Sequence, residues 1–241
     1  MRLALISDLH ANRVALDAVL DDIERRGVDR TICLGDVATL GPEPSYVLAK
    51  LKALGCLCIE GNHEAFLKDF ELIHSYTEAP IVVDAVKWCQ ERLSEEELAF
   101  LHTFKSSAEI ALEGEHRLLV YHGSPRSHTE NLLADTNAEA LDEALAGTEA
   151  EIYAGGHTHL QMLRQHRGAW VVNPGSVGLP FKEFVFGKAP VILPHAEYAT
   201  ITSEGSQLSV ELHRLALDRQ AMREANEASD NPLSAALLEV Y

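Results

Sequence analysis

Five short apolar runs stop abruptly at polar side chains, and no other feature of this chain limits its fold as much. Residues 3–6 lead to Asp8 and His10, 31–34 to Gly35 and Asp36, and 56–60 to Asn62 and His63. Residues 118–121 lead to His122, and 152–154 to His157 and His159. Runs of this length read as buried strands. Ligand sites in α/β sheets gather at the carboxyl ends of strands. The five ends are therefore expected to converge on one place, with Asp36 at its middle.

The connections agree with an α/β chain. Asn12 is an N-cap for a helix with Leu16, Val19, Leu20 and Ile23 on one face, closed by Gly27. A second helix is expected from about Ser45, with Val47, Leu48, Leu51 and Leu54 apolar and Gly55 as its stop. Strand, helix, strand, helix, strand implies right-handed parallel βαβ units. After the turn Gly61-Asn62-His63-Glu64 the chain reads as helical as far as Phe104, with a capping box at Ser94 and Glu97. Strands are expected at 108–112 and 117–121, and a helix at 138–146. From 161 onward the pattern turns to β, with runs at 161–166, 169–173, 196–202 and 208–215. These runs are expected to form a second, largely antiparallel sheet packed on the first. One domain over residues 1–241 is expected, with a helical extension at 218–241 interrupted near Asn231 and Pro232.

A net charge of -17, from 20 Lys+Arg against 37 Asp+Glu, works against a nonspecific grip on nucleic acid or anionic membranes. A small substrate fits better. Cys33, Cys56, Cys58 and Cys89 lack a CxxC spacing and read as small core residues in a reducing compartment. The first apolar run breaks at Ser7-Asp8, too early for a signal peptide, and no run is long enough for a membrane span. A soluble, cytoplasmic protein is expected.

As ligands, Asp8 with His10 and His157 with His159 are i, i+2 pairs, which point the same way in extended backbone, so each pair can chelate. Asp36, Asn62 and His122 complete a set of carboxylate, amide and imidazole donors suited to Mn, Fe, Zn, Ni or Co. The set is large enough for two ions sharing Asp36, an arrangement that clamps phosphate and activates water.

The blocks DLHAN, GDVATLGP, GNHE, YHGSP and GGHTH, in that order, resemble the signature of the calcineurin-like metallophosphoesterases. The segment Asn173-Pro174-Gly175-Ser176-Val177-Gly178 is similar to the small bacterial and archaeal phosphodiesterase branch. The resemblance implies a β-sandwich of two mixed sheets flanked by helices in four layers. It implies two divalent transition-metal ions, manganese foremost, one held by Asp8, His10, Asp36 and His159. Asp36, Asn62, His122 and His157 would hold the other. His63 would be the catalytic histidine, protonating the leaving oxygen or stabilising its charge, with an ordinary pKa near 6.5.

The expected function is hydrolysis of a small phosphodiester or nucleotide-type substrate by metal-activated water, in a chain that binds no nucleic acid stably and can form a homo-oligomer. Alternatives are a dinucleoside polyphosphate hydrolase, a protein phosphatase, or a metal-binding interaction scaffold of the same fold. Protein phosphatases of the superfamily carry a phosphate-gripping arginine after the GD pair, where this chain has Val37-Ala38-Thr39-Leu40. Arg126 reads either as a substitute anion contact or as a solvated surface arginine. Asn173 to Gly175 reads either as a plain turn or as part of the site. Phe184 and Phe186 alternate and read as one buried strand face. His74, His102, His116, His166, His195 and His213 lie off these strand ends and read as surface or core histidines.

Overall fold

A computed structural model describes residues 1–241. Strand β1 (Arg2–Ile6) and helix α1 (Arg13–Arg25) lead into β2 (Arg30–Cys33), α2 (Pro44–Leu54) and the short β3 (Leu57–Cys58). A helical stretch follows, made of α3 (Asn62–Lys68), α4 (Ile73–Tyr76), α5 (Pro80–Gln90) and α6 (Glu95–Leu101). Next come β4 (Ser107–Ala111), β5 (Arg117–Tyr121), α7 (Ala138–Ala144), β6 (Ile152–Ala154), β7 (Gln161–His166) and β8 (Ala169–Pro174). A long hairpin of β9 (His195–Glu204) and β10 (Gln207–Ala216) precedes α8 (Arg219–Glu227) and α9 (Ser234–Leu238).

The strands form two five-stranded mixed sheets, ordered β10-β9-β1-β2-β3 and β4-β5-β6-β8-β7. β1, β2 and β3 are parallel, as the βαβ reading requires. The late strands do not form a sheet of their own. β9 pairs antiparallel with β1, whereas β8 pairs parallel with β6. The reason is an open edge on each early sheet: β2 occupies one side of β1, and the other side needs partners for its buried backbone groups.

Alternation along β1 assigns the layers. Leu3 and Leu5 point between the sheets, where they meet Ile32, Leu118, Val120, Ile152, Val172 and Ile201. Ala4 and Ile6 point the other way, onto Leu16 and Val19 of α1 and Val47 and Leu51 of α2. On the outer face of the second sheet Leu119, Tyr121 and Tyr153 pack on Leu141 of α7. Helices, sheet, sheet and helix thus make the expected four layers.

Some expectations shift. β3 keeps two residues rather than five because it is an edge strand, continued only by a bridge from Ile59 to Lys105. Leu54 is 46% exposed, since the helix ends there and Gly55 turns left-handed. Phe184 and Phe186 do not form a buried strand face: Phe186 is 93% exposed, on a loop closed at its base by the pairing of Phe181 with Ile192.

Candidate metal centre

The five strand ends do converge. Asp8, His10, Asp36, Asn62, His63, His122, His157 and His159 are all buried around one point between the sheets. Asp8 and His10 follow β1, Asp36 follows β2, Asn62 and His63 open α3, His122 follows β5, and His157 and His159 lie between β6 and β7.

The backbone that presents these groups is unusual. Asp8 (φ 53), His10 (φ 44), Asp36 (φ 55), His157 (φ 67) and His159 (φ 56) are all left-handed, not extended as the i, i+2 argument assumed. Each such residue costs about 1–3 kcal/mol and persists only where its surroundings over-determine it. Here the loops hydrogen-bond to one another: Asp8 N–H donates to the Gly35 carbonyl at 2.9 Å, His10 N–H to that of Asp36 at 3.0 Å, and Gly178 N–H to that of Asp8 at 3.0 Å.

The donor atoms fall into two groups. The donor atoms of Asp8, His10 and His159 lie within 4.8 Å of one another, as do those of Asp36, His122 and His157. Asp8 and His10 stay together, whereas His157 and His159 part, one to each cluster. Asn62 joins the second cluster, its Oδ1 lying 3.1 Å from His122 Nε2.

Lone pairs converge in both clusters. His122 Nδ1 donates to the Leu34 carbonyl at 2.6 Å, which leaves the Nε2 lone pair facing Asn62 Oδ1 and, at 3.3 Å, Asp36 Oδ2. His159 Nδ1 likewise donates to the Leu179 carbonyl at 2.6 Å, so its Nε2 lone pair faces His10 Nε2 at 3.1 Å and Asp8 Oδ1 at 3.3 Å. Asp8 Oδ1 is close to the imidazole yet accepts no hydrogen bond of good geometry, and it is fully buried. Acceptors packed against acceptors need positive charge among them, from ring protons or from a metal ion, and these donor types suit a transition metal.

Protonation in the metal-free protein tells the same story. Burial opposes charge on the His122 ring, but Asp36, Asp8 and the Leu34 carbonyl hold its pKa up at about 10. Burial likewise opposes charge on His159, and Asp8 with the Leu179 carbonyl raises it. Burial, then the neighbouring His122, lowers His157 to about 3. Without metal, protons on His122 and His159 supply the positive charge the carboxylates require.

Several further residues hold this arrangement. Glu64 is fully buried, and its carboxylate accepts N–H groups from Asp36 at 2.8 Å, Val37 at 2.9 Å and Gly61 at 2.9 Å. Its signal was the capping-box spacing from Gly61. Gly61 has no alternative: a Cβ there would lie 2.1 Å from Asp36 Oδ1. Thr39 Oγ1 sits 2.6 Å from His63 Nδ1. Nothing in the local pattern marked it. Asn173 is more than a turn residue, since its Nδ2 donates to the Gly156 carbonyl at 2.6 Å and to Thr158 Oγ1 at 3.0 Å, bracing the His157 turn.

His63 lies inside the site, with Nε2 4.0 Å from Asp36 Oδ2. Burial lowers its pKa, against the raising effect of Asp36, so the expectation of an ordinary value is corrected. Arg126 pairs through Nε with Glu130 Oε2 at 2.9 Å and through Nη2 with Oε1, which commits its guanidinium to a neighbour. The site is bordered by Phe181, stacked on His159 at 4.2 Å between ring centroids, and by Tyr76, 6.0 Å from the His157 ring.

Two packed mixed sheets with facing His and carboxylate clusters at their strand ends define a phosphoesterase scaffold. The family model described as a calcineurin-like phosphoesterase superfamily domain matches residues 1–191, and the chain belongs to that superfamily. It is 27% identical over 193 residues to the uncharacterized protein MJ0912 of Methanocaldococcus jannaschii, covering 74% of this chain and 76% of that one. It is 25% identical over 190 residues to the phosphodiesterase YfcE of Escherichia coli K12, covering 75% and 81%. Among solved structures, a metallophosphoesterase from Sphaerobacter thermophilus aligns over 100% of this chain and 98% of its own, with a TM-score of 0.75 and 25% identity. No helix is long and apolar enough to cross a membrane.

Proposed function

We propose that this chain hydrolyses a small phosphodiester or nucleotide-type ester with two divalent transition-metal ions, manganese foremost. Asp8, His10 and His159 would hold one ion; Asn62, His122 and His157 would hold the other, with Asp36 bridging. The observation that carries this reading is the pair of converging lone-pair sets at His122 Nε2 and His159 Nε2. When bound, the ions would supply positive charge for the phosphate and lower the pKa of water.

The chain's own residues do the rest. The Leu34 and Leu179 carbonyls fix the tautomers of His122 and His159, so their metal-facing nitrogens stay basic. Thr39 Oγ1, 2.6 Å from His63 Nδ1, would donate to it and so leave the ring proton on Nε2, the nitrogen nearer Asp36. His63 would then donate a hydrogen bond from Nε2 to the oxygen that leaves phosphorus, and burial lowers the pKa of its ring. Arg126, paired with Glu130, has no role in this reading.

Purified protein titrated with Mn²⁺ and assayed on bis(p-nitrophenyl) phosphate tests it. Metal-dependent turnover that is lost with chelator and restored by Mn²⁺ is expected. Metal uptake without turnover on any of a panel of phosphodiesters and nucleotides would point instead to a binding scaffold.

A further inference from the structure

The imidazoles of the two clusters are not equally supported. His122 and His159 each give their outward nitrogen to a backbone carbonyl, whereas His10 Nδ1 is buried and has no hydrogen-bond partner in the protein. A histidine that ligates a metal through one nitrogen ordinarily donates its other N–H to a fixed acceptor. His10 is 1% exposed, so bulk water does not serve it.

A small cavity of about 10 Å³ lies beside His10, between the metal site and the two C-terminal helices. Its walls are mostly apolar, with Leu179, Met222 and Leu237, but Asn226 and Tyr241 also line it. Asn226 is 2% and Tyr241 8% exposed. Each has one buried polar atom without a partner, Asn226 Oδ1 and Tyr241 Oη. Asn226 Nδ2 is spent on the Met222 carbonyl at 2.8 Å, so the orphan is the acceptor. Burial pushes the Tyr241 phenol up to about 12, which keeps it a donor through the physiological range.

Three residues that line one small cavity thus each carry a buried polar atom without a partner, which is costly for each atom left alone. The space is about what one water needs, and a buried water typically makes about three hydrogen bonds. The inventory matches: His10 Nδ1–H and Tyr241 O–H donate to the water oxygen, and a water proton goes to Asn226 Oδ1. We infer that one buried water joins His10 to Asn226 and Tyr241, which makes the C-terminal helices the outer support of the Asp8, His10 and His159 cluster. The inference rests on His10 being a metal ligand.

An independent contact ties the same helices to the same loop. Asn231 Nδ2 donates to the Gly41 carbonyl at 3.0 Å, and Gly41 is pressed so closely on His10 that a Cβ would lie 2.0 Å from the His10 carbonyl oxygen. Asn226 and Tyr241 are thus positioning residues for a strained ligand, and both lie beyond residue 191, where the family match ends.

The test compares wild type, Tyr241→Phe, Asn226→Ala and the double variant by Mn²⁺ calorimetry and by the absorption spectrum of the Co²⁺-loaded protein. Tyr241→Phe removes one oxygen and no packing. Each variant should weaken one of the two ions by about 10-fold or more and leave the other unchanged, the usual size of an outer-shell effect. The double variant should lose no more than the worse single one, because both changes disrupt the same water. The Co²⁺ spectrum should change, which a loss of stability alone would not cause. A high-resolution structure of the loaded protein should show the water. Unchanged affinities at both ions with a dry cavity would overturn the inference and leave the metal reading intact; a wild type that takes up no metal would overturn both.

Discussion

Glu64 holds Asp36 by its backbone: one carboxylate oxygen accepts the Asp36 N–H at 2.8 Å while the other accepts the Val37 N–H at 2.9 Å. The helix that presents Asn62 and His63 thereby also fixes the left-handed turn that presents Asp36, so groups from two strand ends move as one unit.

Glu64→Gln should expose that dependence. An amide offers one acceptor oxygen where the carboxylate offered two, so at least one buried N–H is left unpaired. A loss of about 1–3 kcal/mol in urea unfolding is expected, together with weaker Mn²⁺ binding. Wild-type stability and metal affinity in Glu64→Gln would show that the turn holds itself.

Metal uptake should release protons. The metal-free His122 ring holds its proton up to about 10, and a ligating nitrogen must give it up. Below that value, affinity should rise with pH by about tenfold per unit for each proton displaced. The linkage has a second consequence. Folded His122 has a raised pKa, so its stabilisation of the metal-free protein is complete below the unfolded value near 6.5 and is lost as pH rises through about 10. Calorimetry in two buffers of different ionisation heat measures the release, and chelator-treated protein unfolded between pH 7 and 10 measures the stability.

Much of this centre was legible because apolar runs that end at Asp8, Asp36, His122 and His157 obey a simple rule of burial and strand polarity. What was not legible depends on contacts distant in sequence. The left-handed φ of His157 and His159 goes with loops bonded to partners more than a hundred residues away, such as His157 N–H on Asp8 Oδ2, which an i, i+2 spacing cannot show. Likewise, β9 alternates like any half-buried strand, and nothing local tells it to pair with β1 rather than with its neighbours β7 and β8. Phe184 and Phe186 alternate too, yet they occupy an exposed loop, since periodicity over so few residues cannot separate a strand from a loop.

Asp22 offers a prediction far from the centre. Burial raises its pKa, but the Tyr198 hydroxyl at 2.5 Å, Arg26 at 2.7 Å and Arg25 at 2.9 Å together hold it down at about 2. A depressed folded pKa means the stabilisation is present above the unfolded value near 3.9 and lost as pH falls through about 2. Asp22→Asn should lower the melting temperature at pH 7 and flatten the decline between pH 4 and 2. Activity per folded molecule should not change.

Thr39→Val should separate orientation from metal binding. Without the hydroxyl 2.6 Å from Nδ1, His63 loses what fixes its tautomer. A lower kcat with both metals retained is expected, and the loss should stay below that of His63→Ala, expected at roughly 10²–10⁴-fold. Both losses should be smaller for p-nitrophenyl esters, whose leaving group needs little help, than for alkyl or nucleoside esters. Equal losses on both ester classes would remove His63 from the leaving-group side of the reaction.

The proposed centre stands or falls on its stoichiometry. Mn²⁺ titration calorimetry on chelator-treated wild type should give two ions per chain. Asp36→Asn should weaken both, because Asp36 would touch each ion, whereas Asn62→Ala should weaken one. A single ion or none bound by wild type under Mn²⁺ excess, or two ions left undisturbed in Asp36→Asn, would contradict a dinuclear centre bridged by Asp36.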